Sequence, residues 1–261
     1  MKHSIGIIGI GNIGSSILNG LLNSDNIHPS QLHIHTRNIS NLSCWETYSV
    51  NIISDKKLLF EKCSIIIIAV KPYQLKDLLK EINNYINIDK HIIISAVSGI
   101  NIEDYFLYIN NKTPLFRIMP NTAADVGSSV TCLSYNKNKK VNEVKDLLLN
   151  LGEIIEIEES LMNAATVLGA CGIAFVFRFI RAMVQGGIQI GFDSKTAEKV
   201  VQQVLIGAVN LLRENASHPE QEIDKVTTPK GCTIVGLNEM EHQGFSSSLI
   251  KGIEMSYKSL S

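Results

Sequence analysis

The chain has 261 residues and is poor in the features that mark several large protein classes. Its five cysteines, Cys44, Cys63, Cys132, Cys171 and Cys232, are odd in number and widely spaced, and no pair forms C-x-x-C. That excludes a disulfide framework and a zinc-ribbon pattern. The seven histidines make no H-E-x-x-H, so we expect no metal. The expectation is a reduced, cytoplasmic protein. A formal net charge of -1, without a long basic stripe, argues against nucleic acid and membrane surfaces as partners. No signal peptide is expected, because Gly9, Gly11 and Gly14 interrupt the place of an apolar h-region. The longest mostly apolar segment, Ala164 to Phe177, is short for a bilayer and runs into Arg178 and Arg181, which favours a buried helix over a membrane span. There is no internal repeat and no low-complexity linker.

What is present is a core-forming composition, 45% hydrophobic, and a patterned N-terminus. Ile5-Gly6-Ile7-Ile8 is a β-branched run that breaks into Gly9-Ile10-Gly11-Asn12-Ile13-Gly14, a G-x-G-x-x-G, before a helical pattern. Strand, tight turn and helix in that order suit a dinucleotide pyrophosphate. Gly9 allows the turn, Gly11 lets the backbone approach the phosphates, and Gly14 lets helix and strand pack closely. Free N–H groups of Asn12 and Ile13 at the helix start then face the anion. By itself the motif also fits a ligand-free glycine-rich turn; the flanking strand and helix favour the cofactor.

Strand-like runs recur at Ser4–Gly9, Leu32–Thr36, Ser64–Val70, His91–Val97, Leu115–Met119 and Ser128–Ser134. Helical patterns lie between them at Ile13–Asn23, Gln74–Ile86 and Val141–Leu151. The continuous apolar runs at Ile65–Val70 and Ile92–Val97 suit strands covered on both faces. This predicts an α/β, Rossmann-type doubly wound sheet over residues 1–158. From Glu159 strands vanish. Ser160–Ile190, apolar nearly all round, should be buried on most sides, with cover from a second subunit. Ser194–Glu214, a start at His218-Pro219, Cys232–His242 and Phe245–Ser259 complete an all-α domain over 159–261.

The second strand ends in Thr36-Arg37 with no acid at its tip. An Arg beside a hydroxyl suits a 2′-phosphate, so NADPH is favoured over NADH; the alternative is a solvated Arg37. Ala69-Val70-Lys71-Pro72 follows an apolar strand, at the edge where ligands bind in open α/β sheets. Lys71 is read as an electrostatic partner of cofactor or substrate, against a plain surface lysine. Asn121 and Thr122 offer polar groups after Leu115–Met119, beside the nicotinamide or ribose.

These segments together resemble the pyrroline-5-carboxylate reductase family over essentially the whole chain. The carriers are G-I-G-N-I-G (Gly9–Gly14), A-V-K-P (Ala69–Pro72), R-I-M-P-N-T (Arg117–Thr122), G-I-A-F-V-F (Gly172–Phe177), H-P (His218-Pro219), T-P-K-G-C-T-I (Thr228–Ile234) and L-N-E-M-E-H-Q-G-F (Leu237–Phe245). The resemblance implies an NADPH domain, a helical dimerisation domain, and an active site at the interface of a homodimer or larger homo-oligomer. It implies hydride transfer to the imine carbon of 1-pyrroline-5-carboxylate, giving L-proline. It also implies that Thr228, Gly231, Cys232 and Thr233 cradle the substrate, with the Thr233 hydroxyl near the imine nitrogen as the catalytic group. Without it, Thr228 and Thr233 read as a turn residue and a helix-start hydroxyl.

The chain departs from the family pattern in places. Gly169-Ala170-Cys171-Gly172-Ile173-Ala174-Phe175 stands where S-G-S-G-P-A-Y is usual, and Lys230 replaces a glycine of S-P-G-G-T-T. Ala123 follows the N-T pair where proline is typical. Cys171 reads as a small core residue. Lys230 either adds charge beside the substrate carboxylate or points to solvent. The departures keep two other readings open: a reductase of another cyclic imine or ketimine, and a non-catalytic dinucleotide-binding regulatory dimer.

Overall fold

The computed structural model describes residues 3–36, 45, 48–136 and 139–260. They divide into two compact units, one ending at Cys171 and the other running from Gly172 to Ser259.

The first unit is built on a sheet of eight strands: β1 (Ile5–Ile8), β2 (Leu32–His35), β3 (Asn51–Ile52), β4 (Ile65–Ile68), β5 (Ile92–Ser95), β6 (Leu115–Met119), β7 (Ser129–Tyr135) and β8 (Gly152–Glu156). Their order is β3-β2-β1-β4-β5-β6-β7-β8, parallel throughout except for β6 against β7. The helices are α1 (Asn12–Leu22), α2 (Lys56–Lys62), α3 (Pro72–Ile82), α4 (Ile102–Tyr105), α5 (Val141–Leu148) and α6 (Met162–Ala165).

The period of two along a strand explains the isoleucine runs. Ile65 and Ile67 join Ile5, Ile7, Ile17, Leu18 and Leu21 in one core layer. Ile66 and Ile68 join Leu59, Phe60, Leu75 and Leu79 in the other. A strand buried on both faces has no polar side to alternate with.

All six strand runs read from the sequence are present. The edge strands β3 and β8 were not expected. β3 is only Asn51 and Ile52, both exposed, and β8 carries Glu153 and Glu156. Short or charged strands at sheet edges lack the apolar signature that periodicity detects.

After β8 the chain continues through α6 and a π-helical turn, Thr166–Cys171, still within the first unit. Met162 packs on Met119 and Cys132. Arg117, 1% exposed within β6, pairs with Glu159. Glu159 also accepts a hydrogen bond from the Ile102 N–H at 3.0 Å. These ties carry the compact unit past Ile157, where the strand pattern stops.

The second unit holds α7 (Gly172–Gln189), α8 (Ser194–Asn215), α9 (Pro219–Val226), α10 (Cys232–His242) and α11 (Phe245–Lys258). Its buried cluster is small: Val184, Ala197 and Val201, with Ile180, Met183 and Leu205 packed against it. The expectation that Ser160–Ile190 is buried on most sides fails within one chain, since Val184 is the buried residue of α7 and Phe177 and Ile188 are exposed. The expected length limit fails too. The helical run Glu159–Gln189, 31 residues, is long and apolar enough to cross a membrane by length and composition, because it continues through Arg178 and Arg181. Only 11% of its most apolar stretch is buried.

Candidate active site

β1 and β4 are parallel neighbours, with Ile8 level with Ile68. The chain leaves β1 towards β2 and returns at β4 on its other side, so a crevice opens at their C-terminal ends. A cavity of about 760 Å³ occupies it, lined among others by Gly9, Gly11, His35, Thr36, Ala69 and Lys71.

The glycine turn is shaped by contacts that exclude side chains. Gly9 has φ +99°, and a Cβ there would lie 2.7 Å from the Ala69 carbonyl oxygen. A Cβ on Gly14 would meet the Gly9 carbonyl oxygen at 1.9 Å, so α1 lies directly against the turn. Gly11, the N-cap of α1, differs: a Cβ would meet nothing within 4 Å. It faces open space in front of the first N–H groups of the helix, which have no intrahelical partner. Asn12, Ile13 and Gly14 form that first turn. This is a cradle for an anion, and a side chain at position 11 would fill it.

The wall beyond is made by β2 and α3. Thr36 follows β2 directly. Arg37 lies outside the described residues. Ala69 and Val70 follow β4, Lys71 is the N-cap of α3, and Pro72 is its first residue. The Lys71 N–H donates to Gln74 Oε1 at 3.2 Å, and its side chain is exposed at the rim. Gln74, Asp77, Leu78 and Glu81 line the same cavity. Their spacing of three and four residues puts them on one face of α3, a pattern legible in the sequence but not used. Lys56, at the start of α2, bridges to Glu81 at 2.9 Å across this wall. His35 and Lys56 were missed because β3, which brings residues 53–56 beside β2, has no sequence signal.

Asn121 takes a different place. It is buried and does not line the cavity. Its Oδ1 accepts from the Ala123 N–H at 2.9 Å, and its Nδ2 donates to the Gly169 carbonyl at 3.0 Å. Both ends of the amide hold backbone, one of them a carbonyl of the π-helical turn. Thr122 is exposed at the start of a 3₁₀ turn.

In the second unit, Thr228-Pro229-Lys230-Gly231 is a turn closed by the Gly231 N–H on the Thr228 carbonyl at 2.9 Å. Lys230 has φ +63°, a left-handed conformation that costs a non-glycine residue about 1–2 kcal/mol. Pro at the second position and a positive φ at the third are the marks of a type II turn. A Cβ on Gly231 would lie 2.5 Å from Thr228 Oγ1, so a side chain there would force the Thr228 hydroxyl aside. Gly231 is the N-cap of α10, and Cys232 and Thr233 open its first turn, both exposed. The Cys232 and Thr233 N–H groups, in the first turn of α10, have no intrahelical partner, a set suited to a carboxylate.

Comparison with known proteins agrees with both halves. Residues 159–261 match the pyrroline-5-carboxylate reductase dimerisation model, and residues 4–99 match the model described as NADP oxidoreductase, coenzyme F420-dependent. Pyrroline-5-carboxylate reductase 2 of Dictyostelium discoideum is 38% identical over 98% of this chain and 91% of its own length. Pyrroline-5-carboxylate reductase 1 of the same organism is 42% identical over 96% of this chain, which spans only 48% of that longer protein. The crystal structure of the Plasmodium falciparum pyrroline carboxylate reductase with NADP bound superposes with a TM-score of 0.91 at 27% identity, covering 99% of this chain and 97% of the other. Similarity that runs from the glycine turn to the last helix leaves one conclusion: the chain belongs to the pyrroline-5-carboxylate reductase family.

Proposed function

We propose that the protein reduces 1-pyrroline-5-carboxylate to L-proline with NADPH, NADH serving less well. The observation that carries the reading is the cradle at Gly11, where the space a Cβ would take lies open before the α1 N-terminus. The residues fit a dinucleotide: backbone of Gly9, Gly11, Asn12, Ile13 and Gly14 for the pyrophosphate, Thr36 and Arg37 for the 2′-phosphate, and Ala69 to Pro72 for the opposite wall. The bound cofactor supplies a hydride to the imine carbon. The protein's part is to bind, orient and hold a proton in reach. Thr228, Gly231 and Cys232 receive the substrate carboxylate, and the Thr233 hydroxyl donates to the ring nitrogen.

The active site lies at a homodimer interface, with residues 159–261 as the dimerising and substrate-binding half. The exposed apolar residues of α7 and α8, Phe177, Ile188, Val200, Val204 and Leu211 among them, support this, because large exposed apolar patches mark interaction faces. That surface also reads as a subunit face and not a lipid face, and the protein as cytoplasmic.

The test is NADPH oxidation, followed by absorbance, with purified protein and 1-pyrroline-5-carboxylate, beside an NADH control. Loss of NADPH with L-proline as product establishes the reaction. NADPH bound without turnover would overturn it and leave a regulatory dimer. The strained Lys230 beside the substrate turn favours one second reading, a different cyclic imine. Faster turnover on another imine in a panel would establish that one instead.

A further inference from the structure

β2 ends without the carboxylate that, in NAD-binding sheets of this topology, accepts a hydrogen bond from the ribose 2′-hydroxyl. The residue standing at the tip is His35. It is level with Ile8 in the β1–β2 register, and its carbonyl accepts the Gly9 N–H at 2.9 Å, so it is tied to the glycine turn. His35 is among the residues that line the same cavity as Gly9, Gly11 and Thr36.

His35 is 6% exposed, and its Nδ1 lies 2.9 Å from the Ile53 carbonyl oxygen. A carbonyl oxygen has no proton to give, so Nδ1 carries the hydrogen and donates. In the neutral ring that leaves Nε2 as a bare acceptor. Burial, above all, lowers the ring's pKa from its ordinary value and keeps it neutral; Lys56 acts in the same direction, while the Ile53 bond and the carboxylates of Glu81 and Asp55 oppose it. Nε2 is buried and has no hydrogen-bond partner among the described residues. A buried acceptor left unpaired is costly and is expected to meet a donor in the working state.

We infer that His35 Nε2 accepts a hydrogen bond from the ribose 2′-hydroxyl of NADH, and so confers the use of the unphosphorylated cofactor. In NADPH the 2′-oxygen carries a phosphate and has no proton to donate. A neutral imidazole does not repel that phosphate as a carboxylate does, so one cleft takes both nucleotides. The inference rests on the dinucleotide reading of this cleft.

The test is direct binding of NADH, NADPH and 2′-deoxy-NADH, by nicotinamide fluorescence without substrate, to the wild type, His35→Asn and His35→Gln. Asparagine keeps a donor for the Ile53 carbonyl and removes the Nε2 acceptor; glutamine returns an acceptor. The expected result is an NADH Kd raised about tenfold in His35→Asn, with NADPH changed less than about threefold. Wild type binds 2′-deoxy-NADH about tenfold more weakly than NADH, a gap that His35→Asn closes. His35→Gln recovers part of the NADH affinity. Equal weakening of NADH and NADPH, or unchanged NADH binding by a His35→Asn protein that binds NADPH normally, overturns the inference alone. Failure of the wild type to bind either nucleotide overturns the dinucleotide reading and the inference with it.

Discussion

The two units solve the problem of burying apolar surface in opposite ways. In the first, every strand from β4 to β6 is covered on both faces, and the isoleucines at 65 to 68 are 0% exposed. In the second, five helices bury Val184, Ala197 and Val201 and leave Val200, Val204, Ile206 and Leu211 of α8 in the open. The first unit is folded by its own chain. The second is composed for contact with another copy, which is why its helices look like core in the sequence and like surface in one chain. The glycine turn and the sheet share the self-sufficient unit, whereas the turn proposed to hold the substrate belongs to the one that needs a partner.

The sharpest way to break this comparison is a charge on the open face. Val204 is 51% exposed, and Val200, Val204 and Leu211 share one side of α8. If that side were solvent, Val204→Asp would change stability by under about 0.5 kcal/mol. We expect instead a loss of about 3–5 kcal/mol from the assembly, as for an unpaired buried charge, read as dissociation in sedimentation. In the first unit, Ile67→Ala should cost about 2–5 kcal/mol of stability by denaturant titration, with the oligomeric state unchanged.

The division also predicts how function separates. Thr233→Ala, in the second unit, should lower turnover by about 100-fold and leave the NADPH Kd unchanged; weakened cofactor binding instead would misplace that loop. Arg37→Ala should weaken NADPH about tenfold and NADH hardly at all, the loss of one charge-assisted contact to phosphate; titration with both nucleotides decides it. The smallest effect belongs to Lys230→Gly. Relief of about 1–2 kcal/mol of left-handed strain is offset by about 0.4–1 kcal/mol of added freedom in the unfolded chain. A thermal scan should show a slight gain, and a raised KM would show that the Lys230 ammonium draws the substrate.

Much of this was legible in the residues. Gly9, Gly11 and Gly14 sit where their spacing placed them, because the demands of a tight turn and close helix packing are local. The turn at Thr228–Gly231 was also legible, with Lys230 standing where the family pattern has glycine; its positive φ came from the structure. His35 and Lys56 were not, since their meeting depends on a two-residue strand with no pattern of its own. The tie of Asn121 to the π-helical turn was not legible either: its Nδ2 donates to the Gly169 carbonyl, 48 residues away in the chain.

The sequence by itself determined the doubly wound sheet, the cofactor turn and the helical second half, since each follows from short-range periodicity and backbone demands. Only the tertiary structure decided the rest. It joined Glu159 to the buried Arg117 and so extended the first unit, left the acceptor of His35 without a partner among the described residues, and exposed the helix faces that a single chain cannot cover. Those outcomes depend on which distant groups meet, and burial energies of that kind are set by the assembled neighbours and not by the order of residues along the chain.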